Sequence, residues 1–353
     1  MNHIFSERFK SARNMSGLSL QGLADKLNNK ISRQALHKYE KGDVIPDSEM
    51  LGYLSDALSV RPDYFFREID VELGEIEFRK AEKMSSKQKT IVVEKTREEV
   101  ARYLELEEII GIEHVFDNPL KKIVINSTSD VESAAITIRD VWKLGTDPLY
   151  NIVELLEDHH IKVIELDEAE GFEGLQAWIK SKSIPVIVLN SGETIQDDRK
   201  RFTALHELAH LLLNMSHLDE KKKEEFCNYF AGAMLFPNDI AKIELGPKRS
   251  KLFINELGVI KQQYGISIQA LLYRLKDLKI ISVSYFNQLM AHMKQMGWKL
   301  VEPSEYRYRG MEKSNRFKQL LYRALAEDLI SMSKAAELSN MKLAEFRSKS
   351  LIM

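Results

Sequence analysis

His206 and His210 stand four residues apart, with Glu207 beside the first, in the run Arg201-Phe202-Thr203-Ala204-Leu205-His206-Glu207-Leu208-Ala209-His210. On an α-helix, positions i and i+4 share a face, so both imidazoles can reach one metal ion. Glu207 then points at the space beside that ion. The chemistry implied is that of a zinc hydrolase: two neutral histidines bind Zn2+, and the carboxylate takes a proton from the attacking water. Phe202, Leu205, Leu208, Ala209 and Leu211 to Leu213 make the helix apolar nearly all round, as befits a core helix. Two histidines and a glutamate are costly to bury there unless something satisfies them.

A catalytic zinc site takes a third protein ligand and keeps one position open. The segment Glu224 to Pro237 supplies it, with Phe226, Phe230, Ala233 and Met234 as its inward stripe. Glu224 and Asn228 share another face at i, i+4, so one can bind metal while the other orients a histidine. Glu225 is the competing ligand, and both glutamates would also suit the positive end of a helix.

The elements around these helices are predicted from pattern and caps. Ser85 with Gln88 opens a long helix to about Ile110, and Ser129 with Glu132 opens a helix over 130–144. Asp147-Pro148 starts another helix reaching His159, with proline in the first turn. Three strand-like runs follow: Ile161–Leu166, Leu175–Ile179 and Ile184–Asn190. The proline early in the third is admissible in an edge strand, where a substrate peptide could add as a further strand. Val71 to Lys80 reads as an extended connector.

The chain has 353 residues, net charge −2, 44% hydrophobic and 29% charged residues, which describes two or three globular domains. No apolar run approaches a membrane span and the N-terminus has no signal-peptide pattern. The single cysteine, Cys227, excludes an intrachain disulfide and suits a reducing cytoplasm, with a packing role the simplest one for it. Charge is uneven. Residues 1–42 carry eight Lys/Arg against three acids, which points that end toward nucleic acid.

Residues 5–67 read as five short helices. Ser19 caps Leu20–Leu27, Asn28-Asn29-Lys30 turns, and Ser32 caps Arg33–Lys41, which Gly42 ends. Leu18 to Leu27 followed by Ile31 to Gly42 resembles the Xre-type phage-repressor family. That resemblance implies a lambda-repressor-like helix-turn-helix whose third helix lies in the major groove of an operator. By position Arg33, Gln34 and His37 would face base edges, with Ser32, Lys38 and Lys41 on phosphates. The family's glutamine at the start of helix 2 falls on Leu20 here, leaving Gln21 as the candidate contact. Such heads commonly pair on palindromes, so a homodimer is expected.

The region from Arg79 to Pro237 resembles the ImmA/IrrE metallopeptidases. The residues that carry this are Glu77-Phe78-Arg79, Ile187 to Asn190, Arg201 to His210 and Glu224 to Pro237. The resemblance implies a zincin-like minimal core that cuts, or otherwise inactivates, a repressor-type protein. It puts the Zn2+ ligands on His206, His210 and Glu224 and the acid/base on Glu207. His217, Tyr229 and Arg201 are candidates for stabilising the transition state. Ser333 to Phe346 resembles a second, weaker helix-turn-helix within a helical tail.

The expected fold is mostly α with a small sheet (α+β): a DNA-binding head over 1–67, a connector and linking helix over 68–111, a zinc peptidase core over 112–245 and a helical C-terminal region over 246–353. The expected protein is a cytoplasmic DNA-bound regulator with a zinc endopeptidase domain. The alternative is a transcription factor whose peptidase-like domain only senses a metal, peptide or small ligand.

Overall fold

The computed structural model describes residues 2–68, 71–74, 76–79, 84–113, 115–167, 172–180, 183–192, 195–299 and 301–350. The head is built as expected. Helices α1 (Asn2–Met15), α2 (Leu20–Lys26), α3 (Arg33–Lys41) and α4 (Ser48–Leu58) close with a 3-10 turn, Pro62–Phe66. The Ser19, Ser32 and Asp47 side chains each accept an N–H two or three residues inside their helix. Asn28 and Asn29 make the α2–α3 turn in the left-handed region, which Asn tolerates better than most residues. Phe5, Phe9, Leu23, Leu36, Leu54 and Phe65 form the buried centre.

The connector contributes a short strand, β1 (Glu77–Arg79); its Glu75 and Lys80 lie outside the described residues. Helix α5 (Ser86–Ile110) follows, opened by the expected Ser85/Gln88 capping box and ended by Gly111 in the left-handed conformation. It packs on α1 at one end and under the sheet at the other.

Beyond it lie α6 (Thr128–Val141), α7 (Ile152–Asp158), β2 (Lys162–Leu166), β3 (Gly174–Ile179), β4 (Ile184–Asn190), α8 (Asp197–Leu212) and α9 (Glu220–Leu235). The capping box of α6 is Ser127 with Asp130, two residues earlier than expected. Asp130 reaches back to the Asn126 and Ser127 N–H groups, while Glu132 is drawn away into an ion pair with Arg274. Helix α7 does not start at Pro148. The Asp147, Leu149 and Tyr150 carbonyls are taken by Arg139 and Arg201, and the cap falls to Asn151. Helix α9 begins four residues before Glu224, capped by Asp219, so neither Glu224 nor Glu225 sits at its N-terminus.

The sheet runs in the order β1-β3-β4-β2, with β4 parallel to β2 and antiparallel to β3. β4 is therefore central, and the expectation of an edge strand there is wrong. Pro185 lies ahead of the first β2 pair, Lys162 with Val186, which is how a proline enters an inner strand. All seven β4 residues are buried, as suits a two-sided inner strand.

The rest is helical: α10 (Asn238–Leu245), α11 (Ile254–Tyr264), α12 (Ile268–Asp277), α13 (Val283–Gln295), α14 (Arg316–Ala326), α15 (Met332–Leu338) and α16 (Leu343–Lys349). Gly265 ends α11 in the left-handed conformation and Ser267 caps α12. One apolar core runs from Leu120 to Met293, so it does not stop at residue 245 but takes in α11 to α13. Helices α14 to α16 form a separate cluster against α5.

Candidate metal centre

Helix α8 lies against β3, β4 and α9, which buries His206 and Glu207 almost completely. The i, i+4 spacing brings the His206 and His210 rings edge to face, 5.0 Å apart, with their Nε2 atoms 3.2 Å apart. Helix α9 delivers Glu224 opposite them. One carboxylate oxygen is 3.2 Å from His210 Nε2 and the other 3.4 Å from His206 Nε2. A tetrahedral zinc site with bonds of about 2.0–2.1 Å has ligand-to-ligand edges of about 3.3 Å. The donor triangle matches that size, and two imidazole nitrogens with a carboxylate oxygen are a set that zinc takes. Hydrogen bonds from His206 and His210 hold the Glu224 carboxyl well below the usual carboxylate range, so it is available as an anion.

Asn228 orients the site. Its Nδ2 donates to the Glu224 carbonyl oxygen at 2.7 Å, which leaves Oδ1 facing His206 Nδ1 at 3.1 Å. A metal bound here would replace the His206 proton that faces Glu224; Asn228 Oδ1 would then hold the remaining proton on Nδ1, so that Nε2 offers its lone pair to the ion. Glu225, the competing ligand, turns outward to Lys222 at 3.0 Å. The Cys227 sulfur is buried within 4.8 Å of donor atoms of both histidines, so it is a second group that could complete a metal site with them.

Glu207 points toward the sheet instead of α9. A Cβ built on Gly174 would lie 3.2 Å from its Oε1 and 2.7 Å from Thr203 Cγ2. Glycine at the start of β3 is what lets the sheet approach the carboxylate this closely. Sequence reading missed Gly174, and nothing in the local pattern marks it.

Phe202, Thr203, Glu224, Asn228 and Tyr229 form one side of a cleft of about 770 Å3, with Tyr273, Arg274, Trp298 and Val301 on the other. Of the three transition-state candidates, Arg201 is fully buried against Glu312 and donates to the Leu149 and Tyr150 carbonyls, away from any substrate. His217 is exposed, 3.2 Å from Asn126. Tyr229 lines the cleft, and its phenol is pushed up to about 12, mainly by burial, so it stays a donor at neutral pH.

In the head, Arg33, Gln34, His37 and Lys38 are exposed on the outer side of α3. The Ser32 hydroxyl caps the helix by accepting from Ala35 N–H, which leaves its own proton to donate. Gln21 is exposed and donates to Asp25 one turn on.

Residues 9–65 match the helix-turn-helix family, and residues 156–276 match the IrrE N-terminal-like domain, peptidase family M78. The chain joins a helix-turn-helix domain to an IrrE N-terminal-like domain. The second match spans β2 to α12, and so contains both helices of the candidate metal centre and, of the far side of the cleft, Tyr273 and Arg274. A stretch of 64 residues, 18% of the chain, is 41% identical to the SPbeta prophage-derived uncharacterized HTH-type transcriptional regulator YonR of Bacillus subtilis (strain 168). That alignment covers 57% of the length of YonR. Among the described residues, no helix is long and apolar enough to cross a membrane.

Proposed function

We propose that this protein is an operator-binding regulator whose IrrE-like domain is a zinc endopeptidase, acting on a repressor-type polypeptide. The observation that carries the reading is the donor triangle of His206, His210 and Glu224, with Glu207 next in sequence to His206 and a cleft that Glu224 lines. Zinc held by those three would polarise a scissile carbonyl and make water a competent nucleophile near neutral pH. Glu207 accepts the proton of the attacking water and returns it to the leaving amine, a task suited to a carboxylate in a water-poor site. Asn228 keeps the His206 tautomer that frees Nε2. The helix-turn-helix head supports the regulatory half, with Arg33, Gln34 and His37 reading bases and Gln21, Ser32 and Lys38 meeting phosphates on double-stranded DNA.

Zinc content tests the site first. Wild-type protein is expected to carry about one zinc per chain and His210→Ala to lose it. Glu207→Gln is expected to keep the metal and to lose cleavage of an unfolded polypeptide by at least a hundredfold. A zinc-free wild type that takes up none on reconstitution rules the centre out. Full activity in Glu207→Gln rules out the mechanism.

A further inference from the structure

The outer edge of β3 continues directly from the cleft. Glu173 lines the cleft, and the next residue, Gly174, starts β3 against the Glu207 carboxylate. On its inner side β3 pairs with β4. On its outer side it pairs with this chain's own connector: Arg79 opposite Gly174, Phe78 opposite Leu175 and Glu77 opposite Gln176. Farther along, Leu73 bridges Ile179, Gly74 N–H donates to the Trp178 carbonyl at 2.7 Å, and Lys180 N–H donates to the Glu72 carbonyl at 3.0 Å. The same edge that could take an extended polypeptide beside Glu207 is thus engaged at both ends by described residues between 72 and 79. A strand edge accepts one partner at a time.

We infer that the outer edge of β3 is the polypeptide-binding surface of this site and that the connector is its resident occupant, so that an outside polypeptide gains the edge only when the connector leaves it. The consequence for cleavage rests on the peptidase reading; the occupancy of the edge does not. The occupying strand is short, with β1 only three residues long, which suits an exchangeable partner. It also lies between the operator-reading head and α5, so the occupant is the covalent link between the two halves of the molecule.

The test locks the strand. Phe78→Cys with Leu175→Cys places thiols on directly opposed residues of the full-length protein, and Glu77→Cys with Gln176→Cys provides a second lock should the first misfold. In the Glu207→Gln background, binding of fluorescein-labelled, reduced and carboxymethylated α-lactalbumin is followed by anisotropy, with the lock oxidised and then reduced. Oxidation is expected to weaken binding at least tenfold and reduction to restore it, with no change in the parent that has only Cys227. Equal affinity in both states overturns the inference, as does absence of binding in both. With Glu207 intact, the lock is expected to slow cleavage of the same polypeptide in parallel. Lock-dependent binding without cleavage in either state sustains the edge assignment and overturns the peptidase reading instead.

Discussion

Asn228 shows what a single amide can decide. Its Nδ2 is committed to a carbonyl on its own helix, so its oxygen must face His206, and the tautomer of a metal-binding histidine follows. Glu224 is the other residue with a measurable signature. The histidine hydrogen bonds depress its folded-state pKa relative to about 4.3 in an unfolded chain. A depressed carboxylate contributes stability that is present above the unfolded value and is lost as pH falls through the folded one. In zinc-free protein, the melting-temperature difference between wild type and Glu224→Gln is therefore expected to shrink as pH falls below about 4. A difference that does not shrink there contradicts the depressed carboxyl. In the head, Arg33→Ala is expected to relax operator specificity by about 1–3 kcal/mol, read by competition between operator variants. An unchanged preference would remove Arg33 from the base-reading set.

At the scale of elements, the sheet lies close against α8. Gly174→Ala brings a methyl within 2.7 Å of Thr203 Cγ2 and 3.2 Å of Glu207 Oε1, so either β3 or the carboxylate must move. The expected cost is about 1–3 kcal/mol in thermal unfolding, with cleavage falling more than stability explains. Thr203→Ser removes the nearer obstacle and is expected to recover part of both; no recovery would place the strain elsewhere. Most helices were legible because their caps are local chemistry: Ser19, Ser32 and Ser85 each accept from an N–H three residues on. Helix α7 was misread because a distant guanidinium, Arg201, claims the carbonyls that a helix from Pro148 would have used. β4 was misplaced because its proline is compatible with an edge, and only the pairing of β2 shows that it lies inside.

Across the whole molecule, α5 is the keel. At one end Arg8, stacked 3.5 Å over the Tyr64 ring, donates to Glu98. At the other, Glu107 accepts from Lys162 of β2 at 2.6 Å, and both side chains are buried. Lys334 of the tail pairs with Glu105 on the same helix, and Arg61 of the head donates to the Met341 carbonyl. The tail's second helix pair does exist as α15 and α16, with Lys334 held by Glu105 and Glu337. Glu107→Ala leaves the Lys162 ammonium buried without its carboxylate and is expected to cost about 3–5 kcal/mol in denaturant unfolding. Replacing both, as Glu107→Leu with Lys162→Met, is expected to cost much less; equal losses would show that packing, not charge, holds α5 to the sheet.

The amino-acid order by itself determined the pieces that depend on neighbours within about four residues: the caps, the i, i+4 histidines, the Asn-Asn turn and the apolar faces of the helices. It also placed Glu224 and Asn228 on one helical face, though not which glutamate turns inward. Only the tertiary structure decided that Glu224 and not Glu225 meets the histidines, that Arg201 is a buried strut, and that β4 is central. It alone put Gly174 under Glu207 and the connector along the β3 edge. These contacts join residues 14 to about 110 positions apart, and their geometry is set by how helices and strands pack, which no local periodicity encodes.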